Sequence, residues 1–132
     1  MSYLLDTHTL IWAITEPQNL SKKARDLIEA PEQRIVVSAV TFWEISLKYA
    51  LGILTLENIS PENFPIICRE MDIEVLPLDP EICATYHKLV GKYHKDPFDR
   101  MLIWLAKCQN FDIISKDEIV KMYESEGIRV VW

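Results

Sequence analysis

The sequence predicts an α/β domain built on a mostly parallel sheet of about five strands. Three observations carry this: short apolar runs alternate with longer segments of helical spacing, the runs are mostly apolar and read as buried strands, and turn or cap residues separate the two. Tyr3-Leu4-Leu5 is the first candidate strand, with a helix starting near Thr7. Ser21 can cap a helix over Lys22–Glu29. Ile35-Val36-Val37 is short and β-branched and reads as the second strand. Helical spacing over 41–51 stops at Gly52, which suits a C-cap. Helices over 61–71 and 80–90 each begin with a proline suited to the first turn. Between them, Ile73-Glu74-Val75-Leu76 forms a third strand, ended by Pro77. Residues 98–108 make a strongly amphipathic helix. Asp112-Ile113-Ile114 and Ile128-Arg129-Val130-Val131 are the fourth and fifth strands. No linker or composition break divides residues 1–132, so one domain is expected.

Composition excludes several classes. Of 132 residues, 49% are apolar, which supports a real core and rules out a disordered chain. The formal net charge is −6, unlike a protein held to nucleic acid by a broad basic surface. Cys68, Cys83 and Cys108 are odd in number and lack a C-x-x-C. Neither a disulfide framework nor a zinc ribbon follows, and each is expected as a small buried hydrophobe. The longest stretches without a charged residue, Thr7–Thr15 and 35–43, have nine residues. A membrane helix needs about 20, so no membrane association is expected. The N-terminus lacks the positive region of a signal peptide, which points to the cytoplasm.

Five carboxylates carry the chemistry. Asp6 directly follows the first strand and Asp117 lies just past the fourth. Ligand sites in open parallel sheets form at the carboxyl ends of strands, so the two are candidates for one pocket. Glu44, in Ser38-Ala39-Val40-Thr41-Phe42-Trp43-Glu44, is the only charge between Arg34 and Lys48. Asp96 and Asp99 open the long helix in Asp96-Pro97-Phe98-Asp99-Arg100. Each acid also has a local role. Asp6 can cap the helix at Thr7, and Asp117 the helix that follows it. Asp96 before Pro97 reads foremost as an N-cap, with Asp99 completing something close to a capping box. Glu44 can pair with Lys48 on a solvated helix face. Carboxylates brought to one spot, however, repel one another and must be neutralised. Mg²⁺ or Mn²⁺ does this with carboxylate and water ligands. Two such ions, ~4 Å apart, clamp the attacking and leaving oxygens of a phosphodiester. They would also bring the formal charge from −6 to −2.

The residues that carry these acids resemble a family. Leu4-Leu5-Asp6-Thr7-His8, the Ser38-Ala39 to Trp43-Glu44 helix, His94-Lys95-Asp96-Pro97-Phe98-Asp99-Arg100-Met101-Leu102-Ile103 and Ile114-Ser115-Lys116-Asp117 are similar to PIN-domain ribonucleases, above all the VapC-like toxins of toxin–antitoxin pairs. The match runs in order over nearly the whole chain. The resemblance implies a three-layer α/β/α fold and a metal-dependent endoribonuclease. It implies catalytic and metal-ligating roles for Asp6, Glu44, Asp99 and Asp117, with Asp96 a further candidate ligand. It also implies an RNA substrate, Mg²⁺ or Mn²⁺, a cognate antitoxin protein and a homodimer. Trp104 stands where the pattern has a small or amide-like residue, and is expected to alter packing under the site.

Other residues complete the expectation. Thr7, Ser38 and Ser115 lie beside the acids and can orient carboxylates or hold water, or serve as turns and caps. Arg100 can pair with a site carboxylate, the favoured role, or contact a substrate phosphate. Lys116 precedes Asp117 and can reach RNA. Tyr86-His87-Lys88 and Tyr93-His94-Lys95 repeat at seven residues across Gly91, a mixed surface that can stack on or contact RNA. Trp12, Trp43, Trp104 and Trp132 are expected in core or interface positions. Two rival functions exist. A phosphoacceptor signalling domain would need an acidic pair after the first strand and an acceptor aspartate ending a middle strand. Here one acid follows Leu5, and Ser38 follows Val37. A catalytically silent domain that only binds a protein partner is the other.

Overall fold

The computed structural model describes residues 1–132. Five strands, β1 (Ser2–Leu5), β2 (Arg34–Ser38), β3 (Glu74–Leu76), β4 (Asp112–Ile114) and β5 (Val130–Val131), form one sheet in the order β3-β2-β1-β4-β5. Every neighbouring pair is parallel, as the largely apolar runs suggest. Leu4 stands opposite Val36, and Leu5 opposite Ile114. The strand order reverses at β1, so β1 and β4 part their connections there and leave a crevice at their carboxyl ends.

Seven helices cover the sheet: α1 (Thr7–Thr15), α2 (Lys22–Glu29), α3 (Ala39–Ala50), α4 (Asn63–Glu70), α5 (Pro80–Thr85), α6 (Pro97–Gln109) and α7 (Glu118–Met122). Successive strand residues point to opposite faces. Tyr3, Leu5, Ile35, Val37, Ile114 and Val131 therefore pack with Leu10, Ala24, Phe64 and Cys68 of α1, α2 and α4. Leu4, Val36, Ile113 and Val130 pack with Leu102, Ile103 and Ala106 of α6 and with Val120 of α7. The result is the expected three-layer α/β/α arrangement. Helix α3 reaches both cores, through Val40 and Ile45.

All five strands and the helices fall where the pattern put them, with shifted ends. Helix α3 begins at Ala39, because Ser38 caps it by accepting from the Val40 amide at 3.1 Å. After it, Gly52 takes φ of +73°, the left-handed conformation that suits glycine. The helix expected over 80–90 stops at Thr85 and gives way to a 3₁₀ turn over Tyr86–Lys88. Side chains take up its late carbonyls: Thr85 Oγ1 donates to Glu81 and the Trp104 indole to Ile82. Trp104 is thus used to dock α6 on α5.

Two cysteine expectations are corrected. Cys68 is buried in the core, but Cys83 and Cys108 are exposed, because their helices turn these positions outward. Trp43 is also mostly exposed, with its ring set edge-on to Phe98 at 5.1 Å between centroids.

Candidate functional site

The crevice at the ends of β1 and β4 collects the acids. Asp6 ends β1 and is buried. It caps α1, accepting from the Thr9 amide on Oδ1 at 2.8 Å, while the Ser115 hydroxyl donates to Oδ2. Burial pushes its carboxyl above the usual range despite the bonds from Ser115 and Thr9. Asp117 caps α7, accepting from the Ile119 amide at 2.8 Å, and its own amide donates to Ser115 Oγ at 3.1 Å. Ser115 therefore ties the two acids together. Asp6, His8, Trp12, Lys116 and Asp117 line a cavity of about 280 Å³. Lys116 sits on its wall with Nζ 5.8 Å from the Trp12 ring.

Glu44 enters from α3. Its side chain is only 3% exposed, so the solvated helix face is not what the structure builds. The carboxylate accepts from Thr7 Oγ1 at 2.7 Å on Oε1 and from Lys48 Nζ on Oε2. Thr7 Oγ1 also lies 3.3 Å from Thr41 Oγ1. Burial works against the Lys48 charge. The bond to Glu44 and the charges of Glu44, Asp96 and Asp99 outweigh it and hold the ammonium above its ordinary pKa.

Asp96 and Asp99 arrive on α6. Asp96 Oδ1 accepts from the Phe98 and Asp99 amides at 2.9 and 3.2 Å, the cap its sequence predicts. Pro97 occupies the first helical position, where its missing N–H goes unmissed. Asp99 then projects from the first turn toward the other acids. Its carboxyl is pushed up to about 7, first by burial and then by the negative charges of Asp96, Asp6, Glu44 and Asp117. All five predicted acids therefore lie within electrostatic reach of one point, although four elements carry them. Capping and site duties coincide in Asp6, Asp96 and Asp117 rather than competing.

Some assignments change. Arg100 pairs with no carboxylate. Its guanidinium donates to Tyr86 Oη at 3.1 Å, Tyr123 Oη at 2.8 Å, Leu89 O at 3.3 Å and Gly91 O. The helix turn directs residue 100 away from residue 99, into the segment before α6. Ser38 makes only its cap bond. Two residues gain a place that sequence reasoning gave them only in passing. Lys48 is the cation of the site, and its signal was the i,i+4 spacing from Glu44 in an otherwise apolar helix. His94 Nε2 lies 3.5 Å from Asp99 Oδ2, and its Nδ1 is hydrogen-bonded to Tyr123 Oη at 3.2 Å. Its signal was position two before the Asp96 cap.

No three of these side chains are placed to close on one ion unaided. A hydrated hard cation does not need that, since Mg²⁺ keeps several waters and takes one or two carboxylates. The donor set is all carboxylate oxygen, and burial together with the surrounding negative charges pushes the Asp99 carboxyl up to about 7. That chemistry fits a divalent cation.

Comparison with known proteins agrees with this geometry. Residues 3–124 match the sequence model of the PIN domain. The chain is 24% identical to "Ribonuclease VapC22" of Mycobacterium tuberculosis over 136 residues, covering 98% of this chain and 97% of that one. Its fold is similar to that in the crystal structure of VapBC2 from Rickettsia felis bound to a promoter DNA fragment, with a TM-score of 0.72 at 14% identity over 99% of this chain and 98% of that one. A toxin–antitoxin complex from Klebsiella pneumoniae shares it at a TM-score of 0.62 and 15% identity, over 98% and 96%.

Proposed function

The chain belongs to the PIN domain family, and from that premise we propose that it is a metal-dependent endoribonuclease, the toxin of a toxin–antitoxin pair. The observation that carries the reading is the convergence of Asp6, Glu44, Asp99 and Asp117 at the β1–β4 crevice, registered in the raised Asp99 carboxyl. The similarity to a protein named as a ribonuclease supports the substrate class. The shared fold with toxin–antitoxin assemblies supports a protein partner. The same reading takes residues 1–132 as one domain working in the cytoplasm, as a homodimer that its antitoxin holds silent.

Asp6 and Asp99 would hold Mg²⁺ or Mn²⁺, with Glu44 and Asp117 completing the set directly or through water and Asp96 offering its free oxygen. A divalent ion held there would supply the charge stabilisation that phosphodiester hydrolysis needs. The chain's own residues fix the carboxylates. Ser115 orients the Asp6 carboxylate and holds the main chain at Asp117, Thr7 orients Glu44, and Lys48 balances Glu44. Lys116, which lines the cavity, would meet a substrate phosphate.

The test is cleavage of RNA by the purified protein with Mg²⁺ or Mn²⁺ and with excess chelator. Cleavage should appear with metal and stop in chelator. Cutting at full rate in chelator would overturn the metal assignment. An intact RNA under every metal condition would favour the silent protein-binding domain instead.

A further inference from the structure

The segment 86–95 is one of two stretches where this acidic chain turns basic; in the other, 17–25, Lys22 is paired with Asp26 and Arg25 donates to the Pro17 carbonyl. The ten residues of 86–95, Tyr-His-Lys-Leu-Val-Gly-Lys-Tyr-His-Lys, hold three lysines, two histidines and no acid, against a formal charge of −6 for the whole chain. Outside this segment, five of the eleven Lys and Arg residues are in ion pairs: Lys22 with Asp26, Arg34 with Glu74, Lys48 with Glu44, Lys107 with Glu126 and Arg129 with Asp112. Lys88, Lys92 and Lys95 are exposed and make no ion pair.

The segment is also fastened. Arg100 binds Tyr86 Oη, Leu89 O and Gly91 O, and Leu89 is buried in the core. Tyr93 packs edge-on against Tyr123 at 4.9 Å, and its hydroxyl meets Ser125 Oγ at 2.7 Å. His94 is bonded to Tyr123. Gly91 passes so close that a Cβ there would meet the Tyr93 and Tyr123 rings at 3.0–3.2 Å. The anchors at 86, 89, 91, 93 and 94 thus alternate with the free lysines at 88, 92 and 95. Arg100 is the neighbour of Asp99, so one residue of α6 serves the acid cluster and the next holds the basic strip beside it. Three like charges held on a pinned segment repel one another without a partner. A polyanion that must reach the acids next door is the occupant whose charge fits.

We propose that Lys88, Lys92 and Lys95 form the strip that holds the RNA backbone against the active site. This rests on the ribonuclease reading and adds where the substrate lies. Lysines act on phosphate as point charges, so the strip grips without reading sequence.

The experiment measures binding of a labelled single-stranded oligouridylate in chelator, across a salt series, for the parent and two triple variants. One is Lys88→Gln/Lys92→Gln/Lys95→Gln; the control, with the same change in charge, is Lys22→Gln/Lys23→Gln/Lys121→Gln. The strip variant should lose at least about tenfold in affinity at low salt. Its slope of log K against log salt should fall by about 2, since each contact to single-stranded nucleic acid contributes about 0.7. In metal, its KM should rise with kcat unchanged, the mark of binding shared by ground and transition states. The control should match the parent. Equal affinity, slope and KM in the two triples, with the parent cutting RNA, would overturn the strip and leave the ribonuclease reading standing. A parent that neither binds nor cuts RNA would remove that reading and the strip with it. Tighter binding of polyglutamate than of RNA would reassign the strip to an acidic protein and overturn the proposal.

Discussion

Asp99 carries an electrostatic strain, and the strain has a sign. Its folded pKa of about 7 lies above the ordinary 3.8, so the folded state holds a proton that the unfolded state has released between those values. Stability in chelator should therefore be greatest below about pH 4 as far as this group is concerned, and fall as pH rises toward 7. The loss should be on the order of 1–3 kcal/mol, read as denaturant midpoints across pH. Asp99→Asn should flatten this slope, abolish cleavage, and leave the protein at pH 8 equally stable or more stable by a similar amount. If Asp99→Asn instead destabilises by ~2 kcal/mol or more at pH 8, residue 99 is mainly a structural cap. Lys48 gives the opposite case. Lys48→Met leaves the buried Glu44 carboxylate with only the Thr7 hydroxyl. Removing one partner of such a pair should destabilise by about 1–3 kcal/mol, allowing for the partial exposure of Lys48. The double variant with Glu44→Gln should recover most of that, so the cycle will show strong coupling. From sequence, the Glu44–Lys48 spacing was visible, but not its burial. That depends on α3 packing against the start of α1, a contact between Thr7 and Glu44 that spans 37 residues of chain.

At the scale of elements, the local code was readable because it is local. Ser21, Asp96 and Asp117 cap the helices that follow them, and each bond spans two or three residues. Proline at the start of α5 and α6 and the left-handed Gly52 after α3 follow the same logic. What was not readable is the use of Arg100. Its four acceptors lie 9 to 23 residues away, two of them main-chain carbonyls that carry no sequence signature. Arg100→Leu should strand those acceptors and release the 86–95 segment. Amide hydrogen exchange over 88–95 should then rise sharply, while strands β1 and β4 keep their protection. Gly91→Ala tests the same packing from the other side. The added methyl must displace the Tyr93 or Tyr123 ring, which should cost about 1–3 kcal/mol in a denaturant titration. A wild-type midpoint would mean that the rings swing aside freely.

Over the whole molecule, the parallel sheet and the pairing of acids at strand ends were legible because strand order and site position obey one topological rule. Glu44 and Asp99, which no strand end announces, stood out as a lone charge in an apolar helix and as an acid in the first turn of the long helix, and the resemblance to PIN-domain ribonucleases gave them their metal-ligating role. The electrostatics of the assembled protein follow from the same arrangement. An antitoxin segment that blocks an acidic crevice should present Arg or Lys to it, so the complex should weaken with rising salt more than an apolar interface would. Affinity that ignores salt would contradict that charge complementarity. All of this depends on four carboxylates acting as one site, and calorimetric titration of Mn²⁺ into the parent and into Asp6→Asn, Glu44→Gln, Asp99→Asn and Asp117→Asn reads it most directly. The account predicts a saturable Mn²⁺ event in the parent that every one of the four substitutions weakens, with the largest losses at Asp6 and Asp99. Parent-like Mn²⁺ affinity in Asp99→Asn, or the absence of any saturable event in the parent, would contradict it.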